Sequence, residues 1–159
     1  MNARLVLVCG LPGSGKTTLA RKLSSEMPAI RLCPDEWLRS LGIDLFDEKT
    51  RGLLESQLWA HAKELLKQGV NVILESGFWG RSERDEKRMW ARSNGIGVEL
   101  HFLDVPLDVL LERVQNRHKS GGDIEAHITR DDLEQWSKSF EAPGPDELAL
   151  FDTPYKSRS

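Results

Sequence analysis

The sequence contains few cysteines, no long apolar run and no excess of charge of one sign. Two cysteines in 159 residues, Cys9 and Cys33, cannot build a disulfide framework and fit a reducing compartment. Lysine and arginine number 22 against 25 acidic residues. This net charge of −3 argues against a broadly basic surface for nucleic acid, although not against a local basic channel. The first apolar run, at 5–9, is too short for a membrane helix or a secretory signal, which predicts a cytoplasmic protein without a membrane partner.

Length and composition predict one folded domain. With 39% hydrophobic and 30% charged residues, the chain is neither a disordered acidic tail nor a collagen nor a membrane bundle. A chain of this length normally forms a single domain and buries enough surface to fold without disulfides or metal. We place the domain at residues 1–152 and expect a flexible C-terminal tail at 153–159.

Short continuous apolar runs alternate with helical patterns along the chain. The runs predict strands covered on both faces at 4–9, 29–33, 70–74 and 98–103, with a candidate fifth strand at 148–151. Apolar spacing and terminal signals predict helices at 17–25, 35–41, 47–68, 82–93, 106–118 and 129–140. Ser82 and Asp85 are predicted to form a capping box. This alternation is typical of an α/β fold with a parallel sheet, and a polar segment at about 118–128 separates the last two helices.

The residues after the first strand match the phosphate-binding loop (P-loop) pattern G-x-x-x-x-G-K-[ST]. The matching residues are Gly10, Leu11, Pro12, Gly13, Ser14, Gly15, Lys16 and Thr17, and Thr18 follows as a further nucleotide-binding candidate. The glycines allow a tight turn that brings backbone N–H groups against phosphate oxygens. Lys16 supplies a positive charge at the β- and γ-phosphates, and Thr17 offers a hydroxyl to Mg²⁺. The motif therefore predicts a site for ATP and Mg²⁺.

Carboxylates follow the second and third predicted strands, at the sheet edge where the P-loop also lies. Asp35 is placed to accept the proton of an attacking hydroxyl, a role compatible with capping the helix that follows. Glu75 follows an apolar strand, which is the usual arrangement of a carboxylate that holds Mg²⁺ through water. We therefore predict Asp35 as a general base, and Glu75 with Thr17 as the metal site.

Two arginines lie near the end of the helix that precedes the polar segment. Arg113 and Arg117 are four residues apart and therefore share a helix face. This placement favours a kinase lid, in which one arginine stacks on adenine and the other reaches the transferring phosphate. A solvated face, paired with Glu112 and the helix dipole, is the alternative. Arg130, just beyond the segment, is a weaker second candidate.

The sequence indicates an acceptor pocket only weakly. Its candidate lining residues are Trp37, Arg39, Ser76, Phe78, Trp79 and Arg130. For Phe78 and Trp79, packing under the following helix is an equally good interpretation. Arg81, Arg84 and Arg88 are interleaved with acidic residues, which predicts a salt-bridged surface.

Residues 10–17, 33–35, 73–79 and 111–117 together resemble the small-molecule kinase group of P-loop proteins. That group includes chloramphenicol phosphotransferase, zeta-toxin kinases and the kinase domain of polynucleotide kinases. The resemblance implies a three-layer α/β/α P-loop NTPase fold with strand order 2-3-1-4-5 and a short lid at about 118–128. It also implies that Asp35 is the base, that Arg113 lies near adenine and that Arg117 lies near the phosphates. Glu75 departs from the aspartate that several relatives carry.

These features predict an ATP-dependent phosphotransferase that moves the γ-phosphoryl group to a hydroxyl of a small molecule, either a metabolite or an antibiotic. One alternative is a polynucleotide 5′-hydroxyl kinase, which the balanced charge and the lack of a basic aromatic stripe disfavour. The other is a nucleotide-sensing ATPase switch. The sequence has no Asn-Lys-x-Asp segment, which disfavours a guanine-binding switch.

Overall fold

Strands and helices alternate along the chain in the computed structural model, which describes residues 3–119 and 128–155. The elements are β1 (Arg4–Cys9), α1 (Lys16–Glu26), β2 (Ala29–Leu32), α2 (Pro34–Leu41), α3 (Glu48–Lys67), β3 (Asn71–Gly77), α4 (Arg81–Ser93), β4 (Gly97–Phe102), α5 (Leu107–Lys119), α6 (Arg130–Ser139) and α7 (Pro145–Leu148). The predicted α/β alternation is therefore confirmed. Of the predicted lid, residues 120–127 lie outside the described part of the chain, as do residues 156–159 of the predicted tail.

The four strands form one parallel sheet in the order β2-β3-β1-β4. Leu7 of β1 is in register with Leu74 of β3 and Leu100 of β4, and Leu32 of β2 is in register with Leu74. The carboxyl ends of the strands therefore meet at one edge. The P-loop, Asp35 and Glu75 all occur where these strands end, so the fold gathers them as the sequence predicts.

The sheet separates two apolar layers. On one face, Leu5 and Leu7 pack with Leu58 and Ala62 of α3 and with Ala91 of α4. On the other face, Val6, Val8 and Ile73 pack with residues of α1, among them Ala20. Alternate residues of β1 thus face opposite layers, and both sets are almost completely buried. This arrangement is the three-layer α/β fold that the continuous apolar strands predict.

The prediction of a fifth strand at residues 148–151 is wrong, because the structure shows no strand there. Leu148 ends α7, and a turn follows at Ala149 and Leu150. Only at Asp152 does the chain reach β4, where its backbone N–H donates to the Val98 carbonyl at 2.8 Å and its carboxylate accepts from the Val98 N–H at 2.8 Å. The apolar residues suggested a strand because Phe151 is buried, but its burial comes from a turn against the core.

Two predicted helix starts differ from the structure. Helix α4 begins after Gly80 without a side-chain cap, so the capping box of Ser82 and Asp85 is wrong. Asp85 instead bonds Arg88 at 3.1 Å, because arginines on the same face compete for its carboxylate. Helix α2 begins at Pro34 with Cys33 at the cap position, which leaves the Asp35 carboxylate free of capping.

Other helix termini agree with the sequence. Asp47 caps α3 by accepting from the Thr50 N–H at 3.1 Å, and Thr129 forms a reciprocal capping box with Asp132 at the start of α6. Among the described residues, no helix combines the length and apolar character needed to cross a membrane.

Candidate active site

Glycines with left-handed backbones shape the P-loop. Gly13 has φ 83° and Gly15 has φ 98°, conformations that side-chain-bearing residues rarely adopt. A Cβ at Gly13 would also lie 3.1 Å from Cγ2 of Val114 and 3.2 Å from the Leu110 carbonyl oxygen on α5. The loop is therefore pressed against α5, which fixes its path into the N-terminus of α1. A helix N-terminus is a favourable site for phosphate.

Lys16 is held over the loop that precedes it. Its Nζ donates to the carbonyl oxygens of Gly10 at 2.9 Å and Leu11 at 3.2 Å. Burial lowers the pKa of Lys16, and Asp35 is the largest of the negative charges that oppose this effect. The ammonium group is thus positioned beside the phosphate-binding backbone, and Asp35 lies within its electrostatic reach.

Glu75 joins the P-loop to the second and third strands. Its Oε1 accepts from the Thr17 hydroxyl at 2.9 Å, and its Oε2 accepts from Nε of Arg31 at 2.9 Å. Arg31 also bonds Glu36 at 3.0 Å. Burial raises the pKa of Glu75, while the Thr17 hydrogen bond and the Arg31 charge act in the opposite direction. One carboxylate oxygen therefore faces the P-loop threonine while the other is fixed by an arginine.

The oxygen ligands at Thr17 and Glu75 fit Mg²⁺. This ion prefers hard oxygen ligands and is usually held by one or two carboxylates together with substrate phosphates. Across residues 3–119 and 128–155, no group of three or more His, Cys, Asp or Glu side chains is arranged to hold a metal ion. The donor set on this chain therefore suits a cation that shares its coordination with a nucleotide.

Asp35 lies in the first turn of α2, at the end of β2. Its Oδ1 accepts from Nη1 of Arg51 on α3 at 2.6 Å, and Arg51 also donates to the Leu45 carbonyl at 2.9 Å. The Asp35 side chain is 41% exposed, so its carboxylate is accessible to solvent. Arg51 thus orients an accessible carboxylate without enclosing it.

Arg113 and Arg117 line a cleft of about 520 Å³ beside the P-loop. Nη1 of Arg113 donates to the carbonyl oxygens of Gly13 at 3.2 Å and Ser14 at 3.3 Å. The other lining residues are Gly13, Ser14, Gly15, Thr18, Leu19, Lys22 and Asn116. The structure thus brings the two arginines together in one basic cleft with part of the predicted nucleotide-binding loop, from Gly13 to Gly15, and with Thr18.

Four aromatic side chains cluster around the end of β3 and helix α6. Trp79 lies 6.0 Å from Trp136 and 6.5 Å from Phe140, measured between ring centroids, and Phe46 lies 6.5 Å from Trp136. We call Phe46, Trp79, Trp136 and Phe140 the aromatic wall. Leu11 lines a separate cavity of about 210 Å³ between the P-loop, α5 and the end of α6.

The remaining acceptor candidates separate into three groups. Phe78 is 2% exposed and packs in the core, so its ring does not line a pocket. Arg130 bonds Glu134 at 3.1 Å and Asp108 at 3.5 Å on the surface, which favours a structural role over a lid role. Trp37 and Arg39 are exposed on α2, and Ser76 is partly buried at the end of β3.

Sequence reasoning missed Arg31 and misassigned Arg84. Arg84 forms a salt bridge with Glu147 at 2.6 Å but is fully buried, so the prediction of a salt-bridged surface is wrong about the surface for this residue. Its neighbours Arg81 and Arg88 do pair with Asp85 as predicted. An arginine within the apolar β2 was a usable signal for Arg31, whereas nothing in the charge pattern of α4 distinguishes Arg84.

Comparisons with known proteins agree with this geometry. The sequence family described as an AAA domain (AAA_33) matches residues 5–143. Adenylyl-sulfate kinase of Myxococcus xanthus (strain DK1622) is 35% identical over 157 residues, which cover 92% of this chain and 80% of the relative. The crystal structure of a sugar kinase from Janibacter sp. HTCC2649 is 27% identical with a TM-score of 0.64, covering 91% of this chain and 82% of that chain.

A component of the Pnkp1/Rnl/Hen1 RNA repair complex shares the fold, with a TM-score of 0.69 at 21% identity over 87% of this chain and 44% of that chain. The predicted resemblance to P-loop kinases is confirmed, whereas a specific resemblance to chloramphenicol phosphotransferase stays a prediction. The chain belongs to this AAA domain family and is a P-loop kinase, a nucleotide-dependent phosphotransferase of the small-molecule kinase type.

Proposed function

We propose that the protein transfers the γ-phosphoryl group of ATP to a hydroxyl of a small molecule, with Asp35 as the general base. The observation that carries this proposal is the position of Asp35. It is an accessible carboxylate at the end of β2, and it is the strongest negative charge acting on the P-loop lysine. A hydroxyl bound between Asp35 and the phosphate site would have its proton acceptor and its phosphoryl donor on opposite sides.

The charged residues at and around the P-loop have separate roles in this reaction. Lys16 neutralises charge on the β- and γ-phosphates, and Arg117 acts with it on the transferring group. Arg113 holds the P-loop carbonyls and faces the nucleotide cleft. Arg51 keeps Asp35 oriented through its 2.6 Å bond. Asp35 then removes the proton as the acceptor oxygen attacks.

Thr17 and Glu75 provide the oxygen ligands for Mg²⁺. When bound, this ion would offset the negative charge of the phosphate groups. Glu75 serves this role through Oε1, because its other oxygen is committed to Arg31. The resulting site needs no further protein carboxylate, since the nucleotide supplies the remaining ligands.

The aromatic wall suggests an acceptor with a flat apolar face. Indole and phenyl rings offer large surfaces on which a sugar or base ring can stack. The names of the relatives give two acceptor classes to test first, adenylyl sulfate and sugars. The fold shared with the RNA repair component gives a reason to include a 5′-hydroxyl oligonucleotide, although the balanced charge disfavours it.

The proposal is tested by measuring ADP production from MgATP in the presence of these acceptors and of hydroxyl-bearing antibiotics. We expect one small molecule to raise turnover well above the rate without acceptor, and Lys16→Ala to abolish the increase. Stimulation by the oligonucleotide alone would replace this proposal with the polynucleotide kinase. ATP binding with no stimulated turnover across the set would contradict transfer to these acceptors and favour the ATPase switch.

A further inference from the structure

Three successive carbonyl groups after β3 are each bound by a different part of the molecule. The Gly77 carbonyl accepts from the Gly10 N–H of the P-loop at 3.1 Å, and the Trp79 carbonyl accepts from the Glu141 N–H at 2.8 Å. Between them, the Phe78 carbonyl accepts from Nη1 of Arg84 at 2.7 Å. The loop 77–79 is thus bonded on one side to the nucleotide site and on the other to the segment after α6.

The backbone of this loop is in an unusual conformation. Gly77 has φ 81° and Phe78 has φ 50°, and Phe78 is the only non-glycine residue with positive φ in the described ranges. A bulky residue adopts this region only where its surroundings impose it. The bound carbonyls and the buried Phe78 ring supply that constraint.

Arg84 uses its guanidinium to join the loop to the C-terminal segment. Besides Phe78, its Nη2 donates to the Glu141 carbonyl at 2.7 Å and to Glu147 Oε1 at 2.9 Å, and its Nε donates to Glu147 Oε2 at 2.6 Å. The exposed fraction is 0% for Arg84 and 2% for Glu147. A planar guanidinium can make these divergent bonds at once, whereas an ammonium group cannot reproduce their geometry.

The position of Trp79 depends on this loop. Its Nε1 lies 3.1 Å from where a Cβ on Gly77 would stand, and the Gly10 carbonyl oxygen lies 3.5 Å from the same point. The indole therefore folds back over Gly77, beside the first residue of the P-loop. From there it contacts Trp136 and Phe140 in the aromatic wall.

We propose that Arg84 is a positioning residue, which holds loop 77–79 so that Trp79 stands beside the P-loop as part of the aromatic wall. Glu147 provides the counter-charge that allows the guanidinium to be buried, and neither residue touches the substrate. That this wall faces the acceptor rests on the proposed function. The geometric part, that Arg84 sets the place of Trp79, stands without it.

The test compares Arg84→Lys with a matched control, Arg88→Lys, one turn along α4. Each variant is made with and without Trp79→Phe, so that the difference in emission isolates the fluorescence of Trp79. We measure acrylamide quenching of that emission and the Kd for MgATP. We expect Arg84→Lys to make Trp79 at least about twofold more quenchable, because one ammonium cannot hold all the carbonyls. The Kd for MgATP should change by less than about threefold, and Arg88→Lys should alter neither quantity.

Two results would overturn the proposal. Unchanged quenching of Trp79 in a folded Arg84→Lys protein would leave Arg84 with a purely structural role. A rise of more than about threefold in the Kd for MgATP in Arg84→Lys would mean that Arg84 acts on the nucleotide site. If Arg84→Lys does not fold, Glu147→Gln serves instead, since it removes the counter-charge and keeps the shape. None of these measurements uses the acceptor, so they separate this proposal from the proposed function.

Discussion

The two sides of the cleft are built in different ways. On the nucleotide side, Lys16 bonds carbonyl oxygens only five and six residues earlier, within one uninterrupted motif. On the side of the aromatic wall, where we propose that the acceptor binds, Arg84 bonds a carbonyl 57 residues away and a carboxylate 63 residues away. A local motif such as the P-loop can be recognised from consecutive residues. A site built from distant residues, such as that around Arg84, forms only when the chain has folded.

Glu75 is the point where the two sides meet. It belongs to β3, it accepts from Thr17 of the P-loop, and it precedes the loop that carries Trp79. Arg31 fixes its second oxygen from β2. Variants on either side of this residue should therefore have separable effects, and variants of Glu75 should affect the metal-dependent part of binding.

The largest expected effect on phosphoryl transfer comes from removing the P-loop lysine, which belongs to the nucleotide side alone. Lys16→Ala should lower phosphoryl transfer by about 10²–10³-fold, because it removes a charge that stabilises the transferring phosphate. Stability and the quenching of Trp79 should stay unchanged, since Lys16 bonds only P-loop carbonyls. Steady-state ADP production and fluorescence measure the two effects.

Lys67→Ala, at the exposed end of α3, is the control for that experiment. Loss of activity together with a changed Trp79 environment would mean that the two sides are not independent. Retained activity in Lys16→Ala would contradict the assignment of the P-loop itself.

A second variant tests Glu75, the residue that connects the P-loop to the loop that carries Trp79. Glu75→Gln should weaken ATP binding about tenfold with Mg²⁺ present, or ~1.4 kcal/mol, and should have little effect with EDTA. The reason is that the amide keeps a hydrogen bond to Thr17 and loses the charge that a divalent cation needs. Titration calorimetry under the two conditions gives both constants.

Glu36→Gln is a matched control for this comparison, because Glu36 also bonds Arg31, whereas in the described part of the chain the Thr17 hydroxyl bonds Glu75 instead. An equal effect of the two variants would assign the loss to Arg31 and remove Glu75 from the metal site. An effect of Glu75→Gln that persists in EDTA would contradict its role as well.

The same contrast explains how much the sequence could predict. The P-loop and the carboxylates at the strand ends depend on local patterns and on the rule for parallel sheets, whereas the order of the first four strands is what the resemblance to the kinase group implies. Arg84 could not be found in this way. Its helix shows an ordinary alternation of charges, and its partner Glu147 lies in α7, 63 residues further along the chain. The ring of Phe78 could equally have faced a pocket, and the positive φ that turns it into the core is not visible in the sequence.

The smallest effect concerns Glu55, a partly buried carboxyl group on α3. Burial raises the pKa of Glu55 to about 7, although the Arg51 charge opposes this. The folded protein therefore keeps this proton between about pH 4.5 and 7 while the unfolded chain loses it, so stability falls as pH rises through that window. In Glu55→Gln, the fall in the free energy of unfolding across this pH window should be smaller by about 1–2 kcal/mol, after allowance for solvent screening.

Urea unfolding at pH 5 and pH 8 measures that difference, and Glu64→Gln on the exposed side of α3 is the control. If the stability of Glu55→Gln depended on pH in the same way as that of the unsubstituted protein, another group would have to cause the loss of stability at higher pH.

The central claim is that Asp35 removes the proton of an acceptor hydroxyl, and the most direct measurement is a comparison of binding and transfer in Asp35→Asn. With the acceptor found by the turnover screen, we expect transfer to fall by at least about 10²-fold while the Kd for MgATP changes by less than about threefold. Asp108→Asn, an exposed carboxylate in the first turn of α5, should change neither. Transfer that survives in Asp35→Asn, or a loss of MgATP binding that accounts for the loss of transfer, would contradict the claim.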